Sequence, residues 1–460
     1  MSASLGQTLA MAIETEYARA SDGTYVAYQV TGSGPIDILI MRGWVTNIEH
    51  EWAEPTVARM YKRLAAGGRL IRLDRRGMGL SDRLRPGQLP TIESRVDDIV
   101  SVLDAVGSRL VVPIGLGQAS GTTLAAMFAA IHPERVAGLV LYQPSARGAW
   151  ASDYPWGLTE DQLRTSADTF LASWGTPELA ERWARYGAPS RAGDRNLVAW
   201  LADHQRLSGT PEDAVALLQI DYETDIRAAL SSIHLPTLVV SRAGVQPDLS
   251  RYVAGLLPGA RHVELPGADN MAISGDTDAV LREIVAFVES LPDTADAKEA
   301  QRILATVLFV DIVDSTNRAV ALGDRRWTEL LAAERACLRE LVAGFRGREV
   351  DATGDGFFAA FDGPGRAIRC AGAAVAAVRD LGLEIRVGLH TGECERVGDQ
   401  LQGVAVHIGA RVAALAGPSE VFASGTVKDL VAGSGFTFAS RGRHRLKGVP
   451  GDWPIYAVVS

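Results

Sequence analysis

From Thr24 to about residue 290, short runs of apolar residues alternate with helix-permissive stretches. "TYVAYQV", "IDILIMRG", "RLIRLD", "RLVVPIG", "VAGLVLYQ" and "PTLVVSRAG" have strand length, and several are continuously apolar. Such runs are expected where helices cover both faces of a sheet, so the pattern predicts an α/β fold with a mostly parallel sheet. Between about Ala146 and Ile233 the strand signal stops. Tryptophan-bearing helical segments replace it ("TFLASWGTPELAERWARYG", "NLVAWLADHQRL") and predict a helical cap inserted over the sheet.

Near Leu291 the texture changes. "LPDTADAKEAQ" is polar and reads as a linker over 291–302, dividing a first unit, 1–290, from a second, 303–460. "RILATVLFVDIVDST" opens the second unit, with further strands predicted in "REVDATGDGFFAAF", "LEIRVGLHTGE" and "EVFASG". Helices are expected over Arg325–Phe345 and Arg366–Leu381. A length of 460 residues agrees with two cores rather than one.

Composition narrows the function classes. With 47% hydrophobic and 22% charged residues the chain has the balance of a soluble globular protein. A net charge of −9 argues against a general nucleic-acid binder, which needs a basic face, but leaves room for a local anion pocket. Cys337, Cys370 and Cys394 are odd in number and lack C-x-x-C spacing, so buried thiols in a reducing cytoplasm are expected. The first twenty residues lack the basic start of a signal peptide, and no apolar run approaches the roughly 20 residues of a membrane span. Neither membrane nor nucleic acid is an expected partner.

"VVPIGLGQASG" (Val111–Gly121) runs like a buried strand into a tight turn and a small-residue helix. "MRGW" (Met41–Trp44), "RLIRLDRRGMGLSD" (Arg69–Asp82) and "HPERVAGLVLYQ" (His132–Gln143) accompany it. Together these segments resemble the α/β-hydrolase family, in the oxyanion-hole segment, the D-x-R-G-x-G-x-S stretch and the region after the nucleophile helix. The resemblance implies a Ser-His-acid triad, with the serine in G-x-S-x-G. Here Gly117 stands at the nucleophile position, Val245 at the acid position and Asn270 at the base position. None of these side chains can act as nucleophile, orienting charge or proton acceptor near neutral pH. Ser120, Asp248, Asp269, His50 and His262 lie near the right segments but do not restore the pattern. The first unit is therefore expected to be catalytically inactive, either a scaffold or a sensor with a small-molecule ligand in its pocket. Trp44, Trp52, Trp150, Trp156 and Trp174 are candidates for that pocket, although aromatics at such spacing are more often core.

The second unit carries "LFVDIVDST" (Leu308–Thr316), "ATGDGFFA" (Ala352–Ala359), "GVAVHIGARVAALA" (Gly403–Ala416) and "RGRHRLKG" (Arg441–Gly448). In this order they resemble the catalytic domain of class III nucleotidyl cyclases, an α+β fold with a ferredoxin-like core. Soluble cyclases fused to an α/β-hydrolase domain form a recognisable bacterial group. The resemblance implies ATP as substrate and cyclic AMP and pyrophosphate as products. It also implies two Mg²⁺ or Mn²⁺ ions held by Asp311 and Asp355, since hard ions take carboxylate oxygens. The loop carrying Ile312, Ser315 and Thr316 is expected to offer backbone N–H groups to phosphate.

Arg411 follows His407 by four residues, which places both on one helix face. By resemblance Arg411 stabilises charge on the reacting phosphate, and His407 replaces the asparagine that usually holds the ribose. Lys447 takes the β- and γ-phosphates, whereas Arg441 and Arg443 are candidates for a merely solvated face. The adenine-reading lysine of the family is Asp351 here. A carboxylate suits the donors of guanine N1–H and the 2-amino group, by the same logic that pairs carboxylates with base donors. The second selector is Gln400, with Asp399 beside it; its amide both donates and accepts, so it decides little. GTP or mixed use thus remains open beside ATP. The family arrangement draws the metal carboxylates from one protomer and Asp351, Arg411 and Lys447 from the other, which implies a homodimer. A nucleotide-dependent dimer switch without turnover is a further open reading, favoured by Asp351 and His407.

Overall fold

A computed structural model describes residues 13–43, 45–84, 89–118, 120–292, 302–352, 354–398 and 400–459. Trp44, Ala119 of the turn, Asp399, the first twelve residues and most of the expected linker (293–301) lie outside them.

Strands β1 (Glu16–Arg19), β2 (Tyr25–Thr31), β3 (Asp37–Arg42), β4 (Arg69–Leu73), β5 (Val111–Leu116), β6 (Leu139–Tyr142), β7 (Thr237–Arg242) and β8 (Arg261–Leu265) form one sheet. Its order is β1-β2-β4-β3-β5-β6-β7-β8, parallel from β4 to β8 and antiparallel at β1 and β2. Alternation divides the core. Leu39 and Met41 pack with the helices Ile92–Ala105 and Ser120–Ile131, while Ile38 and Ile40 pack with Pro55–Gly67 and Thr277–Ser290. Burying each such side chain contributes about 1.5–3 kcal/mol, which is why the central strands read as continuous apolar runs. The edge strands β1 ("EYAR") and β8 ("RHVEL") lack that pattern because one side of each meets solvent. Five helices between Glu160 and Leu230 form the expected cap.

The second sheet contains β9 (Arg302–Ile312), β10 (Arg348–Asp351), β11 (Gly356–Phe361), β12 (Ile385–Val397), β13 (Gln400–Gln402), β14 (Val421–Ser424), β15 (Phe438–Arg445) and β16 (Asp452–Val458). The order is β10-β11-β9-β12-β14-β16-β15, with β13 paired to β12. Leu308, Val310 and Ile312 face the helices Asp324–Gly344 and Pro364–Asp380. The helix Val404–Leu415 packs against the sheet through Ile408 and Val412 and meets Phe422 and Ile455. The basic segment from Arg441 lies largely on edge strand β15, which charge concealed in the sequence. All three cysteines are free, Cys370 and Cys394 buried. Among the described residues no helix is long and apolar enough to cross a membrane.

The two units share a tight contact. Leu304 and Leu430 of the second join the core of the first. Glu93, only 4% exposed, accepts from the Gly365 and Arg366 N–H groups at the start of the helix Pro364–Asp380. Gly363 permits this approach, since a Cβ there would stand 2.0 Å from the Glu93 side chain. Asp97 bonds Arg366, and it also accepts from Arg346 Nη1 at 2.8 Å.

Burial, with Asp362 nearby, outweighs those N–H groups, Arg366 and Arg369, and pushes the Glu93 carboxyl up from 4.5 to about 7. The folded chain then holds more protons than the unfolded chain in that window, so stability falls as pH rises through it. Thermal unfolding followed by circular dichroism should show a melting temperature that declines between pH 4.5 and about 7. Glu93→Gln is expected to flatten that slope, and an unchanged slope would assign the window to other groups.

Candidate functional site

Strand alternation puts Asp311 on the sheet face opposite Leu308, Val310 and Ile312. Val307 of that face packs with Val350, Phe358 and Ala360, and Phe309 stacks on Phe358 with ring centroids 4.4 Å apart. Asp311 is in register with Gly356 on β11 and with Arg386 on β12. Asp355 immediately precedes Gly356, in the turn that closes the β10–β11 hairpin. The sheet ladder therefore brings Asp311 and Asp355, 44 positions apart in the chain (355 − 311), to one end of the same strand pair.

Arg386, which the sequence reading passed over, holds the Asp311 carboxylate. Its Nε donates to Asp311 Oδ2 at 2.8 Å, and its Nη2 donates to the same oxygen. On the helix Asp324–Gly344, Glu334 is 2% exposed and its Oε1 has no hydrogen-bond partner. Burial, with Asp355 nearby and opposed by Arg335, raises its carboxyl to about 7. This acidic end fits a hard divalent ion: two partly exposed carboxylates, with negative charge left to neutralise. Among the described residues no group of three or more His, Cys, Asp or Glu forms a metal cage. Mg²⁺ does not need one, because it keeps waters and takes substrate phosphates.

The other candidates divide into neighbourhoods. Asp351 ends β10, and Gln400 Nε2 donates to the carbonyl of Val350 at 3.1 Å, which places the two expected base selectors one residue apart across that bond. His407 and Arg411 lie exposed on the helix Val404–Leu415, together with Val404 at 59% exposure. Leu446 and Val449 pack beneath that helix and fix the exposed Lys447 beside it. Arg441 pairs with Glu420, and Arg443 donates to the Asp452 carbonyl. The Ile312 side chain enters the core, so only its backbone is available to a phosphate. Ser315 and Thr316 open the helix Ser315–Leu322, where first-turn N–H groups lack intrahelical acceptors.

In the first unit Gly117 has φ +86° at the turn after β5, a left-handed conformation that glycine adopts freely. Gly117 and Asn270 line a cavity of about 320 Å³, whereas Val245 is buried outside its lining. The aromatic wall comes from Trp183, Tyr186 and Trp200. Trp52, Trp156 and Trp174 instead pack into cores, and Trp150 is 49% exposed. Ser120 is fully buried and donates to Asp221 of the cap. Asp269 accepts from Ser190, and Asp248 from Arg251. His50 stacks on Trp200, and His262 bonds Ser241, itself fully buried in β7. Arg42 and His204, which also line the cavity, were missed by pattern reading. A charge ending the apolar run "IDILIMRG" was the available signal for Arg42.

Comparison with known proteins gives the family. Residues 38–276 match the model of the alpha/beta hydrolase fold, and residues 297–460 that of the adenylate and guanylate cyclase catalytic domain. The second unit is similar to "Putative adenylate cyclase 3" of Rhizobium meliloti (strain 1021), 32% identical over 163 residues, 33% of this chain. The chain spans only 28% of that protein's length. The first unit is similar to the pimeloyl-[acyl-carrier protein] methyl ester esterase of Neisseria meningitidis serogroup C, 25% identical over 198 residues, covering 42% of this chain and 77% of the esterase. The fold also matches the esterase RhEst1 from Rhodococcus sp. ECU1013, with TM-score 0.51 and 22% identity, over 60% of this chain and 99% of that one. The chain thus belongs to the alpha/beta hydrolase fold family through its first unit and carries in its second an adenylate and guanylate cyclase catalytic domain.

Proposed function

We propose that the chain is a nucleotidyl cyclase that converts ATP to cyclic AMP and pyrophosphate at a homodimer interface, with a first unit that binds but does not hydrolyse. The observation that carries this reading is the placement of Asp311 at one end of the β9–β11 ladder opposite Gly356, the residue that follows Asp355, with Arg386 orienting Asp311. In the reaction the ribose 3′-oxygen forms a bond to the α-phosphorus and gives up its proton to solvent, while the bond from the α-phosphorus to the bridging oxygen breaks and pyrophosphate leaves with that oxygen. Mg²⁺ or Mn²⁺, two per site, would be held by Asp311 and Asp355, and supplies charge neutralisation and a more acidic 3′-hydroxyl. Arg411 suits the growing charge on the phosphate through its planar donors, Lys447 suits the outer phosphates, and His407 can donate to the ribose. Ser315 and Thr316 offer N–H groups to phosphate, together with the Ile312 backbone.

The exposed face bearing Val404, His407 and Arg411 supports a second copy completing the site. For the first unit, Gly117, Val245 and Asn270 leave the triad without its three functional groups, and Ser120 is tied to Asp221. Linker 291–302 would join units 1–290 and 303–460, with β9 already under way at Arg302. Purified protein with Mn²⁺ and either ATP or GTP, scored for cyclic product beside an ester-cleavage control, tests the reading. Absence of cyclic product from both nucleotides would favour the nucleotide-binding switch.

Guanylate cyclase or mixed use is the second reading. Asp351 is exposed, and Gln400 beside it is held by the Val350 carbonyl, so an acceptor fronts the base. Asp351→Lys is expected to shift the ATP-to-GTP ratio of kcat/KM towards ATP by about tenfold or more, the scale of one base-reading contact. An unchanged ratio would remove Asp351 from base selection.

A further inference from the structure

We propose that the cavity under the cap binds an uncharged, largely apolar alcohol or phenol, whose hydroxyl donates to His204 Nδ1. The charges around the cavity are already paired. Arg42 Nη1 stands 3.5 Å from Glu51 Oε1 and Arg72 Nη1 3.0 Å from Glu51 Oε2. Arg191 reaches Glu54 at 2.9 Å and Asp194 at 2.7 Å, and Glu54 also acts on Arg42. Arg42, Arg72 and Arg191 are thus matched by Glu51, Glu54 and Asp194, and among the described residues the wall offers a ligand no unpaired charge. Where the wall meets solvent, Gln118 Nε2 donates to Gln246 Oε1 and the Tyr186 hydroxyl donates to Gln118 Oε1, so those polar groups are engaged as well.

Acceptors are what the wall leaves over. Among its described residues, His204 Nδ1 and Asn270 Oδ1 are buried without a hydrogen-bond partner. The other nitrogen of His204 fixes the tautomer. Nε2 faces the Val45 carbonyl at 3.3 Å, and a carbonyl only accepts, so Nε2 carries the proton and Nδ1 a lone pair. Burial, with Arg42 and His50 adding to it against Glu51, lowers His204 to about 3, which keeps the ring neutral. His204 is 2% exposed and stacks on Trp200 with ring centroids 4.7 Å apart, so the ring is not free to turn towards another donor. Met60, Leu116, Trp183 and Ile273 make much of the remaining wall apolar. A buried acceptor without a donor is costly, and a ligand hydroxyl supplies the donor. Esters, ketones and ethers only accept, a carboxylate does the same and adds a charge, and an ammonium would lie uncompensated near Arg42. The cavity of about 320 Å³ lies at the small end of ligand sites, which suits one aromatic ring with a short hydroxyalkyl chain.

This inference rests on the reading that the first unit binds rather than hydrolyses. The full chain is titrated calorimetrically at neutral pH with 3-phenylpropan-1-ol and, separately, with (3-fluoropropyl)benzene, which has nearly the same shape but no donor. Against a wall without a bare acceptor the fluoride would bind more tightly, because the hydroxyl would give up its water without replacement. The expected result is the reverse, with the alcohol favoured by about threefold or more, the scale of one neutral hydrogen bond. The carboxylate 3-phenylpropanoate should bind more weakly than the alcohol. His204→Phe keeps a ring against Trp200 and removes the acceptor, so it should turn the preference towards the fluoride. No binding of the alcohol, equal or tighter binding of the fluoride or the carboxylate, or a preference for the alcohol that survives in His204→Phe overturns the proposal. Should His204→Phe fail to fold, the wild-type comparison decides alone. Incubation with 3-phenylpropyl acetate separates the underlying reading: release of acetate defeats it, whereas binding of the alcohol is measured independently.

Discussion

Asp311→Ala or Asp355→Ala is expected to abolish cyclic-nucleotide formation, a loss of at least about 10³-fold in kcat, because each removes a carboxylate that would hold the divalent ions. The fold should survive both changes. Asp311 and Arg386 are each about one third exposed (33% and 36%), and an ion pair of that kind contributes about 0–1 kcal/mol. Asp355 lies in a hairpin turn and leaves the ladder of β10 and β11 intact when truncated. The measurement is product formation at saturating Mn²⁺ and nucleotide, with circular dichroism to verify folding. Cyclase activity unchanged in either variant would sink the metal-site assignment.

Arg411→Ala is expected to lower kcat by about 10²–10³-fold with less change in KM, since in the proposed reaction the guanidinium would meet charge that grows only in the transition state. A mixing experiment sharpens this. If each site takes its carboxylates from one protomer and Arg411 from the other, Asp355→Ala and Arg411→Ala variants each keep about 1% of the wild-type rate or less alone. In a mixed dimer one site carries both lesions and the other carries none. Equal mixing with free exchange then restores about a quarter of the wild-type rate, as half the dimers are mixed and each has one intact site. Failure to restore activity, with exchange verified by differently tagged chains, would place all of the chemistry within one protomer.

Much of the architecture was legible in the sequence because burial on both faces leaves a mark on composition. β3, β5 and β7 are apolar runs for that reason, and the cap was legible as the place where such runs cease. Edge strands left no such mark. β8 carries Arg261 and Glu264, and β15 carries the basic residues from Arg441, because a strand with one open side tolerates charge. The candidate residues of the second unit were legible because each sits in a motif with its own local structure.

Residue types and order determined by themselves that Gly117, Val245 and Asn270 stand where the resemblance expects a triad, and that Asp311, Asp355, Arg411 and Lys447 are all present. Only the tertiary structure decided what those residues meet. Strand register carried Asp355 to the end of β9 that bears Asp311, and gave Asp311 to Arg386, 75 positions further along (386 − 311). The cap lowered Trp183, Trp200 and His204 onto Gly117 and Asn270. The reason is physical. Local propensity and periodicity act over a few residues, whereas partners in a ladder or a cavity wall are chosen by how whole elements pack.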